Sequence, residues 1–301
     1  MLAFVSSPRL SGFIPVVSSV SFVLIGATIM IVSEAATLAR IEPFYSWNTP
    51  IAWTGFIIFA DSIVYRACGN SWLRSSPREF AMLALASIPL WIVFEGFNLV
   101  LRNWYYVGLP ENAALRYFGY AWSFGTIWPA LFEGAELVAV MRQTGQPHPT
   151  NLSGPRNPSD QRNLSVLSVV AGALMLASPF VVSPAVAQYM AAPVWLGFIF
   201  LLDPINARLG AEALSSDASA NRYDRLTNLA LSGLLCGVLW EFWNYWSRSK
   251  WHYTVPITEH LKIFEMPVLG YFGFPAFSLE CFTMYVRLRR LVTTGGRPIG
   301  L

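Results

Sequence analysis

The stretch WTGFIIFADSIVYR at residues 53–66 returns as WLGFIFLLDPINAR at residues 195–208. Seven of the fourteen positions agree, among them Trp53 with Trp195, Asp61 with Asp203, and Arg66 with Arg208. Apolar letters coincide cheaply in a hydrophobic chain. A Trp, an Asp and an Arg in one register do not, so the chain reads as a duplication.

Working outward, the next apolar segment repeats as well. Glu95-Gly-Phe-Asn98, then Arg102, Trp104, Tyr106 and Pro110, matches Glu241-Phe-Trp-Asn244, then Arg248, Trp251, Tyr253 and Pro256, with one residue inserted before Trp251. The segment after that carries Pro129 ahead of Glu133 in one half and Pro275 ahead of Glu280 in the other. Each half thus supplies an Asp, a Glu and a second Glu from three successive segments.

Composition says what solvent these segments meet. Of 301 residues 54% are hydrophobic and 12% charged, and mean hydropathy is +0.47. A soluble domain carries about 25% charged residues, so lipid is the expected surroundings. Eight apolar segments are long enough to cross about 30 Å of hydrocarbon: residues 11–32, 49–67, 79–101, 117–141, 164–186, 190–208, 225–247 and 264–287. The first is read as a retained span rather than a signal peptide. The expected fold is all-α: a polytopic transmembrane bundle of about eight spans. It divides into a four-helix repeat over 1–145, a polar cytoplasmic linker over 146–163 and a second four-helix repeat over 164–301. Four spans per unit give both copies the same orientation, as parallel repeats about an axis along the membrane normal.

Basic residues set the topology. Arg9, Arg66, Arg74, Arg78, Arg142, Arg156, Arg162, Arg208, Arg222, Arg225, Arg287, Arg289, Arg290 and Arg297 fall on the side holding both termini. Only Arg40, Arg102, Arg116, Arg248, Lys250 and Lys262 fall on the other. The positive-inside rule then predicts a multi-pass protein of the inner membrane with cytoplasmic termini.

Several function classes find no motif. The basic residues are scattered, which argues against a nucleic-acid partner. Cys68, Cys236 and Cys281 suggest no disulfide framework. His148, His252 and His260 fall in expected loops, and no metal-binding pattern appears. No metal and no cofactor are expected.

The acids carry the functional reading. A charged side chain at the centre of a bilayer costs about 2.5–3.5 kcal/mol on insertion scales. Glu241, Glu95, Glu280, Glu133, Asp203 and Asp61 are therefore expected around an internal cavity, where an unpaired carboxyl in low dielectric stays protonated. They are the candidate catalytic residues. Asp61 with Arg66, and Asp203 with Arg208, read equally well as helix-end ion pairs. Glu95, Asn98 and Arg102 share one helix face, as do Glu241, Asn244 and Arg248. Asn98, Asn244, Trp91, Trp104, Tyr106, Trp240, Trp243, Trp251 and Tyr253 are the candidate substrate-binding residues. The bland alternatives are interhelical hydrogen bonding for the two Asn, core packing for the ring residues and interfacial anchoring for the Trp-x-Tyr segments.

The order of an acid on one helix, Trp-x-Tyr just beyond it, and a Pro followed by an acid on the next helix resembles the small integral-membrane lycopene cyclases and related membrane terpenoid cyclases. Trp240-Glu241-Phe-Trp-Asn244-Tyr245, Trp251-x-Tyr253, Pro275 and Glu280 carry the likeness best. Glu95, Asn98, Trp104, Tyr106, Pro129 and Glu133 repeat it more faintly. Where those families have two adjacent acids after the Pro, this chain has Leu279-Glu280. The resemblance implies a helical, tandemly repeated, cofactor-independent enzyme on a hydrophobic isoprenoid ligand. Glu241 or Glu95 would protonate a double bond, and Glu280 or Glu133 would assist. Ring faces suit that chemistry, since each cation–π contact gives about 0.5–2 kcal/mol. A proton-coupled transporter and a non-catalytic lipid-binding protein are the alternatives, because midplane acids and repeats serve those functions too.

Overall fold

The computed structural model describes residues 16–142, 158–258, 260–293 and 295–300. In chain order its helices are α1 (Val16–Leu38), α2 (Phe44–Cys68), α3 (Trp72–Ser75), α4 (Pro77–Leu101), α5 (Ala113–Met141), α6 (Pro158–Val181), α7 (Pro184–Ala187), α8 (Ala191–Arg208), α9 (Leu214–Ser219), α10 (Asp224–Trp246) and α11 (Gly273–Val292). Four short strands interrupt them: β1 (Trp104–Val107), β2 (Lys250–Tyr253), β3 (Lys262–Ile263) and β4 (Met266–Pro267). The fold is helical, as expected.

Five helices, α1, α2, α4, α5 and α10, are long and apolar enough to cross a membrane. Their outer faces are apolar too: Leu99 is 79% exposed, and Leu85 and Ile31 nearly as much. Water does not tolerate that much continuous exposed hydrocarbon on a folded surface, and lipid does. Several apolar helices of this kind point to a multi-pass membrane protein. α6, α8 and α11 are the other long helices, and they are shorter or less apolar.

Several boundaries differ from expectation, and three of them have a visible local cause or consequence. The segment expected to span 264–287 becomes helical only at Gly273, after β4 and a 3₁₀ turn at Val268–Phe272. α6 begins at Pro158, inside the expected linker, and stops at Val181 before Ser183-Pro184. A residue preceding proline is disfavoured in the α region, which explains the stop. Most of the linker and residues 11–15 of the first expected span lie outside the described residues.

Packing follows a paired pattern. α1 lies on α2 and α6 on α8; α2 on α5 and α8 on α11; α4 on α5 and α10 on α11. Across the middle, α10 packs on α5 and α11 on α4. The α1–α2 crossing needs glycine, because a Cβ on Gly26 would stand 2.6 Å from the Gly55 carbonyl oxygen. The α6–α8 crossing needs it equally, since a Cβ on Gly172 would stand 2.7 Å from the Gly197 carbonyl oxygen. Small residues that let backbones touch are a standard device for helix association in lipid, where burial of hydrocarbon supplies no drive.

Candidate functional site

The site grows from the way α4 and α10 end. Asn98, in the last turn of α4, accepts the backbone N–H groups of Asn103 (2.8 Å) and Trp104 (3.2 Å) and donates to the Trp104 carbonyl (2.8 Å). Arg102 closes the helix in the left-handed region at φ 54°. The chain therefore reverses sharply into β1. Asn244 does the same for β2: it donates to the Trp251 carbonyl (2.9 Å) and accepts the Trp251 N–H (2.9 Å). Both Asn residues thus hold the backbone in place. They do not line the cavity described below.

β1 and β2 pair antiparallel, with Trp104 opposite Tyr253 and Tyr106 opposite Trp251. Alternate residues of a strand share a face, so all four rings look the same way and line one cavity. The ribbon escaped the sequence reading, which took these residues for interfacial loops. His252 lies in β2 rather than in a loop.

The cavity measures about 470 Å³, within the roughly 300–1,000 Å³ typical of small-molecule sites. Trp91, Trp104, Tyr106, Trp240, Trp251 and Tyr253 line it as expected. So do Trp53, Trp195 and Phe277, which the sequence reading did not nominate, although Trp53 and Trp195 stood out as matched positions. Phe277 joins the walls, with its ring 5.0 Å from Trp195 and 5.9 Å from Trp91. Trp243 packs edge-on against Trp53 behind the wall, at 4.9 Å.

The acids are placed differently from one another, and none lines the cavity. Glu95 stands behind the wall and binds three of its rings through one oxygen: Tyr106 Oη at 2.5 Å, Trp91 Nε1 at 2.8 Å and Trp104 Nε1 at 3.3 Å. Glu241 is fully buried and accepts Tyr253 Oη at 2.9 Å. Its second oxygen and the Trp251 indole N–H are buried with no hydrogen bond. Burial, and then the nearby Glu95 or Glu241, push both phenols well above the ordinary tyrosine range. Tyr106 and Tyr253 are therefore neutral hydroxyls, each donating its proton to its carboxyl.

The remaining acids lie elsewhere. Asp61 accepts the Leu73 N–H (2.8 Å) at the start of α3 and pairs with Arg74 (3.3 Å), not with Arg66 as expected. Asp203 accepts the N–H groups of Leu214 (2.6 Å) and Ser215 (2.9 Å) at the start of α9. Both Asp residues tie a short helix to the bundle. Glu133 is fully buried beside Asp61 and Glu136, and Glu136 is held by both nitrogens of an Arg297 fork at 2.7 and 2.8 Å. Glu280 is fully buried on α11, which packs on α8. The carboxyl oxygens of Glu133 and Glu280 make no hydrogen bond.

Arg248 pairs with the exposed Glu42 (3.4 Å) rather than with Glu241. Lys250 and His252 on β2 hold Glu265 at 3.0 and 2.8 Å. Burial works to raise the Glu265 pKa, but those two hydrogen bonds outweigh it and hold the carboxyl below its usual range. Cys236 and Cys281 are free and buried. Among the described residues, no three His, Cys, Asp or Glu side chains gather as a metal site.

No family model, curated protein or solved structure matches this chain.

Proposed function

We propose that the protein is an integral-membrane, cofactor-independent enzyme that cyclises or isomerises a polyisoprenoid-type lipid by proton transfer in the ring-lined cavity. One observation carries the reading. Two hydroxyl–carboxyl pairs, Tyr106–Glu95 and Tyr253–Glu241, reach one apolar cavity through rings that line it.

The chemistry follows from this arrangement. Tyr253 gives its phenolic proton to a double bond of the bound chain, and a carbon–hydrogen bond forms as a carbocation appears. Glu241, entering as the acid, protonates the Tyr253 oxygen in the same step, so that no phenolate forms, and the hydrogen bond between them reverses. Loss of a proton from a carbon next to the cation, through Tyr106 to Glu95, completes the change, and the starting state returns when Glu95 releases that proton to the medium and Glu241 takes one up. General acid–base transfer of this kind contributes about 10²–10⁴-fold. The rings of Trp53, Trp91, Trp195, Trp240 and Trp251 stabilise the cation without offering a nucleophile.

The finer architecture belongs to the same proposal. The eight long helices are eight spans in two parallel four-helix repeats, with both termini on the cytoplasmic side of the inner membrane. Four matched devices support the duplication: the Gly26–Gly55 and Gly172–Gly197 crossings, the Asp61 and Asp203 ties, the Asn98 and Asn244 pins, and the two Tyr–Glu pairs.

Expression in cells that make linear carotenoids and prenyl lipids, followed by analysis of lipid extracts, tests the reading. A new cyclised or isomerised product is expected from the parent protein, with strong loss in Tyr253→Phe. No new product across the panel, with the protein present in the membrane, rejects it.

A second reading rests on Glu133 and Glu280, which are buried without a hydrogen bond, away from the cavity and close after Pro129 and Pro275. Such acids suit a proton-coupled carrier. Acid-driven flux in liposomes that disappears in Glu280→Gln would favour it.

A further inference from the structure

The cavity wall has no carboxylate but does have two cations, Arg116 and Lys250. They differ in their surroundings. Lys250 has a counter-ion, Glu265, at 3.0 Å, and Glu265 is shared with His252. Arg116 has no carboxylate within 4.0 Å among the described residues. Its guanidinium reaches only the Pro110 carbonyl at 3.4 Å and the face of the Tyr117 ring at 5.8 Å.

Both cations belong to one end of the cavity. Arg116 sits in the first turn of α5, and Lys250 opens β2 opposite Val107, three residues before Pro110. Ser46, Ser249 and Gln188 add polar lining, while Trp91, Trp195, Trp240 and Phe277 make the rest apolar. A half-buried guanidinium without a counter-ion, facing an otherwise apolar hollow, favours an anion that arrives with the ligand. Its planar fork of donors suits phosphate or carboxylate oxygens.

We infer that the cavity takes an amphiphile: an isoprenoid chain among the rings, with an anionic phosphate or carboxylate head held by Arg116 at the β1–β2 end. This rests on the reading of the cavity as an isoprenoid site and names the ligand's class. It also fixes orientation, because a head held at Arg116 directs the chain past Tyr106 and Tyr253 in a single sense.

Tryptophan-fluorescence titration tests this with protein in phosphatidylcholine nanodiscs. The probes share one chain: geranylgeranyl diphosphate, geranylgeranoic acid and geranylgeraniol. The diphosphate is expected to bind at least about tenfold more tightly than the alcohol. That advantage should vanish in Arg116→Gln and largely return in Arg116→Lys, while the alcohol binds all three proteins alike. Tightening by the acid as well assigns any anion to the head site, and tightening by the diphosphate alone assigns phosphate. Should Arg116→Gln fail to fold, the parent protein decides: diphosphate binding must weaken with salt and alcohol binding must not. Equal binding of charged and neutral probes overturns the anionic head, an advantage that survives Arg116→Gln overturns its assignment to Arg116, and either leaves the isoprenoid cavity standing. No binding of any probe overturns both.

Discussion

Glu95 and Glu241 stand at matching places, each beneath a Trp-x-Tyr strand, yet their surroundings differ. Glu95 is half-buried, and one of its oxygens takes three donors. Glu241 is fully buried, takes one donor at 2.9 Å and keeps an oxygen with no hydrogen bond. A carboxyl that gathers three donors on one oxygen holds neighbouring rings in place. A buried carboxyl with an open oxygen has capacity left to carry and exchange a proton. The comparison teaches that one local motif can be set to two tasks by the number of donors around it; under the proposed function Glu95 is the positioning group and Glu241 the proton donor.

The largest expected effect breaks that comparison directly. Glu241→Gln should lower product formation by about 100-fold or more, as loss of a general acid does, whereas Glu95→Gln should lower it by about tenfold or less. Product per unit of membrane-inserted protein, measured by extract analysis and blotting, checks the ratio. The reverse order would assign the proton donor to the first half, and equal losses would remove the division of labour.

Much of this was legible in the sequence, for specific reasons. The helices announce themselves because crossing lipid demands long apolar runs. Matched Trp, Asp, Glu and Asn positions survive as letters, so the proposed pairing of the halves rests first on the sequence. Six of the cavity rings were legible because they flank the acids along the chain. The ribbon was not. Each strand has four residues, and its partner lies 146 residues away, so no local period announces it. Asp61 and Asp203 misled for a related reason. Both accept backbone N–H groups eleven or twelve residues on, which leave no side-chain signature, and the Arg74 that pairs with Asp61 lies across a turn, so a buried acid reads as chemistry. Arg116 carries its meaning only through the carboxylates that are not beside it.

A smaller effect sharpens the comparison at the backbone. Asn98 makes three hydrogen bonds to the chain that enters β1, and Asn244 makes two to β2. At about 0.5–1.5 kcal/mol each, Asn98→Ala should destabilise by roughly 1.5–4.5 kcal/mol and Asn244→Ala by roughly 1–3 kcal/mol. Thermal unfolding of both variants in the same detergent gives the order. A costlier Asn244→Ala would mean that the ribbon depends mainly on its second strand.

The smallest effect concerns charge. β2 presents Lys250 and His252 to Glu265, while the cross-strand positions on β1 are Val107 and Tyr105, which carry no charge. The folded Glu265 pKa is depressed, so its contribution is complete above the unfolded value, near 4.3, and is lost as pH falls through the lower folded value. Protection of the amides across residues 250–267, taken as exchange relative to the intrinsic rate at each pH, should therefore be flat from neutral pH down to the usual carboxylate range and fall below it. Residues 104–107 should follow only as far as their ladder to β2 carries the change. Glu265→Gln should raise exchange in 250–267 already at neutral pH and abolish the acid step. A step that persists in Glu265→Gln would place the responsible carboxyl elsewhere, with Glu42 at the exposed Arg248 pair the next to replace.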